Sequence, residues 1–238
     1  APEAGSERMR HIINKKMSQP DILQAVDKLV QKKILHLRLY FMIGLPFETH
    51  EDAAAIVSLT RQIKERFLAA SRKQKRMGTI TLRINPFIPK PGTPFQWAAL
   101  ADDATLKHRA GIIREGLKKT PNVTVNIASV KTAKINALLS LGDRHTADVL
   151  EAACRYGWGR AIKAHQAHVH QVVYTQKQIP GLSECGGNDC PAPCLPWHIL
   201  DQHISTGFLV KEWHRAQQKK QSAACPMIDC SACGICMS

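Results

Sequence analysis

The stretch LRLYFMIGLPFETHED, residues 37–52, decides how this chain is read. Residues 39–43 form an apolar run that reads as a buried strand, and Gly44-Leu45-Pro46-Phe47-Glu48 stops it. Thr49 with Asp52 three residues on has the form of a capping box, and Ile56, Leu59, Ile63 and Phe67 follow at helical spacing. A strand, a Gly-Pro turn and a capped helix in that order open a strand–helix unit.

The same unit recurs on both sides. Upstream, SQPDILQAVDKLVQKK offers Ser18 as a helix cap, Pro20 in the first turn, and Ile22, Leu23, Val26, Leu29 and Val30 as an apolar stripe. The strand of residues 34–43 follows. Downstream, TITLRINPFI begins a strand at Thr79, Asp102 or Asp103 starts a helix running to Lys119, and NVTVNIA forms a strand ending near Ala128. Successive strands begin roughly 40 residues apart, the spacing of βαβ crossovers in a parallel sheet. The fold class expected is therefore α/β. Residues 2–4 read as the end of a further strand. Ala1 is not a methionine, so the sequence reads as part of a longer protein.

Residues 131–175 read as a helical extension, with Gly142 stopping one helix and breaks expected around Gly157 and Gly159. From residue 176 onward Pro, Gly and Cys become dense, which marks a tail of different character. Three regions result: 1–130, 131–175 and 176–238.

Composition narrows the classes. A chain of 238 residues with 44% hydrophobic and 22% charged residues is long enough to bury a core without staples. The longest apolar run, residues 39–46, falls far short of the roughly 20 residues that span a bilayer, so no membrane partner is expected. With no secretory pattern at the start, the expected compartment is the cytoplasm. The net charge of +14 and the cluster RQIKERFLAASRKQKR at 61–76 leave two readings open: a solvated basic helix, or a phosphate-facing patch for RNA.

Seven of the eight cysteines fall in the tail. Cys225, Cys230, Cys233 and Cys236 have the spacing C-x4-C-x2-C-x2-C, suited to an iron–sulfur cluster or to zinc. Cys185, Cys190 and Cys194 form a weaker group that lacks a fourth sulfur. Cys154, alone in an apolar helical context, reads as core. The histidines form no HExxH pattern.

Together these segments resemble the radical S-adenosylmethionine (SAM) superfamily, and within it the proteins that carry an N-terminal cobalamin-binding domain. PEAGSERMRHIINK, LYFMIGLPFETHED, NPFIPKPGTPFQW, LSLGDR, LPW and the closing cysteines carry the resemblance. It implies the C-terminal half of a partial parallel barrel, followed by the helical segment and the Cys-rich tail. It implies SAM as cofactor, with Glu3, Gly5, Ser6, Ile43, Gly44, Leu45, Pro46, Glu48, Asn85 and Phe87 around it. It also implies a [4Fe–4S] cluster, but the family's C-x3-C-x2-C loop is absent here, so its ligands would lie in the rest of the same protein. That remainder, the N-terminal barrel half and a cobalamin domain, is the expected partner, and cobalamin is a further cofactor of this type. The tail would hold an auxiliary iron–sulfur or zinc site.

Glu48 has two readings, ligand contact or brace of its own loop. The proline-rich segment 89–95 reads as a rigid connector or a cavity wall, with Lys90 toward an anionic substrate and Lys15 toward a SAM carboxylate. Two alternatives stand beside this reading. Methylthiotransferases share Gly-x-Pro-Gly-Glu-Thr at this strand end, but Phe47 replaces their second Gly. A non-enzymatic module binding metal or RNA would explain the charge and the cysteines, but not the GLPFET and PKPGTPF segments.

Overall fold

The computed structural model describes residues 1–73, 78–180, 195–226 and 230–237. The chain divides into two compact units. The first comprises Ala1–Phe87, Ala101–Val130 and Lys219–Gln221, the second Ile88–Leu100, Lys131–Gln218 and Ser222–Ser238.

The first unit is α/β. Its elements are α1 (Glu7–Ile12), α2 (Gln19–Gln31), β1 (His36–Ile43), α3 (His50–Lys73), β2 (Thr79–Pro86), α4 (Asp103–Leu117) and β3 (Val123–Ile127). The three strands form a parallel sheet in the order β1-β2-β3, with Leu39 opposite Leu82 and Ile84 opposite Ile127. Each expected strand lies within two residues of its predicted start. Ser18 caps α2 through a reciprocal box with Asp21, and Asp102 caps α4 by accepting from the Thr105 amide at 2.8 Å. Such caps are worth about 1 kcal/mol each.

Residues 2–4 continue the pattern. The Glu3 amide donates to the Tyr40 carbonyl at 3.1 Å, and Met42 donates back to Glu3 at 2.8 Å, a parallel bridge on the edge of β1 away from β2.

The core gathers Val26 and Val30 of α2, Phe41 and Ile43 of β1, Ile56 and Ile63 of α3, Leu82 and Ile84 of β2, and Leu106 and Ile113 of α4. Each fully buried side chain of this size contributes about 1.5–3 kcal/mol. One expectation fails here. Residues 39–43 are not buried on both faces: Leu39, Phe41 and Ile43 enter the core, while Tyr40 is 41% exposed. The alternation runs through β1 and β2, so the sheet has one apolar face toward the helices and one open face.

The second unit is helical: α5 (Val130–Leu141), α6 (Thr146–Tyr156), α7 (Trp158–Ala164), α8 (Gln166–Tyr174) and α9 (Thr206–Gln217). Gly157, at φ +79°, breaks α6 from α7 as expected, whereas Gly159 lies inside α7. Helix α9 is not foreseen in a tail dominated by cysteine and proline. Ser205 caps it, and it packs Leu209, Val210 and Trp213 against Trp97, whose ring meets Trp213 edge-on at 6.4 Å. Trp158 and Trp197 pack at the second apolar cluster, built on Leu138, Leu141, Val149 and Val173. Cys154 is exposed, so its core reading is wrong: it sits on the outer side of amphipathic α6. No helix among the described residues is long and apolar enough to cross a membrane.

Candidate cofactor site

Parallel sheets present their ligand sites at the carboxyl ends of their strands. Three of the expected segments meet at that edge. Register places residues 42 and 43 beside 85 and 86, and the Phe87 amide extends the ladder by donating to the Ile43 carbonyl at 2.8 Å. The bridge at Glu3 brings residues 3–6 to the other side of β1.

The turn after β1 is held from within. Gly44 adopts φ +80°, and a Cβ there would lie 2.7 Å from a methyl of buried Leu106. Its lack of a side chain thus serves the turn and the packing of α4. Ile43 and Leu45 are 1% and 3% exposed, so both side chains are spent on the core. Phe47 takes φ 65°, unusual for a bulky residue, and leaves its ring partly exposed.

The Glu48 carboxylate accepts from the Gly44 amide at 2.6 Å and pairs with the Arg109 guanidinium at 2.6 Å. Arg109 also donates to the Glu48 carbonyl at 2.6 Å. The Glu48 side chain is 2% exposed. Burial raises its pKa to about 7, against the opposing pull of Arg109 and the Gly44 amide. Of its two readings, the geometry is that of the brace. Arg109, on α4, is a partner that no local pattern announces.

A second knot binds residues 6–8 to the start of α3. Asp52 accepts from Ser6 Oγ at 2.6 Å, from the Thr49 amide at 2.8 Å and from Thr49 Oγ1 at 3.0 Å, and pairs with Arg8. Burial alone would raise the Asp52 pKa, but hydrogen bonds from Arg8, Ser6 and Thr49 together hold it below the ordinary value. The capping box at Thr49 is therefore half formed: Asp52 returns to the Thr49 amide, while the Thr49 hydroxyl donates to Asp52. Ser6 Oγ also accepts from the Met9 amide at 3.1 Å, so its proton and one lone pair are committed. A Cβ on Gly5 would stand 2.2 Å from the Ile56 amide nitrogen, so this glycine seats the loop against α3. Beneath it, fully buried Arg10 donates to the carbonyls of Ala4, Gly5 and Met17.

At the edge Asn85 and Phe47 are exposed and Glu3, Pro46 and Phe87 half-exposed, with the Glu3 carboxylate beside Lys15. Lys15, expected toward a SAM carboxylate, lies 3.6 Å from Glu3. Lys90 donates to Ser140 Oγ at 2.6 Å within the second unit. There Gln96 Oε1 accepts from the Gly92 amide at 3.1 Å and from Trp197 Nε1 at 2.8 Å, beside a cleft of about 280 Å³.

The residues do not fit the family's main cluster, since the chain has no C-x3-C-x2-C loop. In the tail, Cys225 and Cys236 are exposed thiols, and Cys230 and Cys233 are half-buried. Among the described residues no three His, Cys, Asp or Glu side chains are grouped so as to hold a metal ion. Cys185, Cys190 and Cys194 lie outside the described residues.

Comparison with known proteins adds one relative. Over 151 residues the chain is 32% identical to a protein of Methanocaldococcus jannaschii described only as uncharacterized. The matched region is 63% of this chain and 31% of the relative, so the chain spans about a third of that protein's length. No family model matches the chain, and no solved structure matches it.

Proposed function

We propose that this chain is part of a radical SAM enzyme, a half-barrel whose sheet edge seats SAM. One observation carries the reading. Residues 3–6, 44–48 and 85–87, far apart in sequence, sit side by side at the carboxyl edge of one parallel sheet. Asn85 and Glu3 would hold the polar groups of the nucleoside, and Pro46 and Phe87 would flank its base. Glu48, Arg109 and Asp52 act one step back, fixing the loops that carry those groups. In enzymes of this kind an iron–sulfur cluster supplies the electron that cleaves SAM to a 5′-deoxyadenosyl radical. The C-x3-C-x2-C ligands for such a cluster are not among these residues.

The test has two stages. Isothermal titration of SAM into the chain should give saturable binding, weakened about tenfold by Asn85→Ala or Glu3→Ala, with each variant's melting temperature unchanged. The natural full-length protein, reconstituted anaerobically with iron and sulfide, should then release 5′-deoxyadenosine from SAM. A cluster-loaded protein that releases none overturns the reading.

A further inference from the structure

Parallel sheets almost always bury both faces, which is why their strands usually read as continuous apolar runs. This sheet departs from that rule. Its open face carries His36, Arg38, Tyr40 and Met42 from β1, Thr79, Thr81, Arg83 and Asn85 from β2, and Thr124 and Asn126 from β3. All of these are exposed or half-exposed in the folded chain. A polar face on a parallel sheet is suited to a polar occupant.

The charge on this face has one sign. The three strands contain no Asp or Glu. Arg38 and Arg83 project from it, and none of the ion pairs among the described residues involves either. Register fixes their separation. Arg38 is level with Thr81, and Arg83 lies two residues further along the same face of the neighbouring strand. With strands about 4.8 Å apart and a rise of about 3.3 Å per residue, the two backbones stand roughly 8 Å apart. Two guanidinium forks at that spacing reach a single anionic group of two or more charges, each in bidentate fashion. Tyr40 is level with Arg83, and Asn126 flanks Arg83 from β3, so hydroxyl and amide groups border the pair.

We propose that the open face of the β1–β2–β3 sheet binds a small organic anion bearing phosphate or carboxylate groups, held between Arg38 and Arg83. Naming this anion the enzyme's substrate rests on the reading above. The anion site itself rests on the sheet face alone. A small molecule is favoured over a nucleic acid because the two cations are diagonal neighbours and the strands place only two rings on the face, Tyr40 and His36, the latter bonded to Thr79. A strand of RNA needs an extended track of cations and several stacking rings.

The probe is inorganic pyrophosphate, titrated into the chain calorimetrically at low ionic strength. Saturable 1:1 binding is expected, weakened at least tenfold by Arg38→Ala and by Arg83→Ala. Arg38→Lys should recover part of it, since charge is kept but the fork is lost. Arg66→Ala, which removes a cation paired with Asp27 outside this face, should leave it unchanged. These positions are exposed, so folding is checked simply by circular dichroism. Absence of saturable binding, or equal loss in Arg66→Ala, overturns the inference. So does tighter, steeply salt-dependent binding of single-stranded RNA through the same two arginines. Competition between SAM and pyrophosphate would assign the arginines to the SAM carboxylate and also overturn it. Because pyrophosphate is read without SAM, a chain that fails to bind SAM still tests this site.

Discussion

Glu48 shows how one side chain sets the behaviour of a turn. Its pKa in the folded chain, about 7, stands above its ordinary value of 4.5. The folded state therefore keeps a proton that the unfolded chain releases between those values. The group's contribution to stability is full below pH 4.5 and is lost as pH rises through 7. Unfolding free energy, measured with urea, should fall between pH 5 and pH 8 by up to about 3 kcal/mol from this group. Glu48→Gln, neutral throughout, should flatten that fall while keeping an acceptor for the Gly44 amide. A variant whose profile matches the parent would place the pH dependence elsewhere. The two glycines of the edge should respond unequally. Gly44→Ala meets a positive φ and a side-chain methyl that can shift, for a cost of roughly 1–3 kcal/mol. Gly5→Ala meets the backbone of α3, which cannot, and should cost more. Equal melting temperatures for the two would contradict this. At this scale the sequence is least informative. That position 44 needs glycine is readable from the turn; that Leu106, some sixty residues on, is a reason is not. The Glu48–Arg109 pair is a tertiary contact between two turns of chain with no shared local pattern.

Elements were far more legible. Ser18, Pro20 and Asp21 announce the start of α2, and Asp102 that of α4, because a cap is a local event between residues three apart. The period of the apolar residues located α3 and all three strands. It failed where two signals overlap: Tyr40 and Met42 are apolar enough to look buried, so a half-open strand read as a closed one. Helix α9 was hidden for the opposite reason. Its twelve residues hold one stripe, Leu209, Val210, Trp213 and Ala216, inside a region whose composition pointed to metal binding. Asp52 links elements rather than residues, because it joins the 6–8 segment to the first turn of α3. Asp52→Ala should free that segment. Amide exchange at Met9 and Arg10 should then accelerate at least tenfold, while exchange in β2 stays slow. Uniform acceleration across the unit would mean that Asp52 supports global stability and not this link.

The chain divides into two compact units, and they differ in one spectroscopically useful respect. Trp97, Trp158, Trp197 and Trp213 all belong to the helical unit, and the α/β unit contains no tryptophan. Intrinsic fluorescence excited at the indole band is therefore blind to the unit that carries the proposed ligand sites, while far-ultraviolet dichroism registers both. Ile63→Ala, in the α/β core, should lower the dichroism midpoint in urea and leave the fluorescence midpoint in place if the units unfold separately. Coincident shifts would show them to be one cooperative block. The same partition makes a reporter available without labels. Phe67→Trp, at a buried position of α3, would give the silent unit an indole of its own.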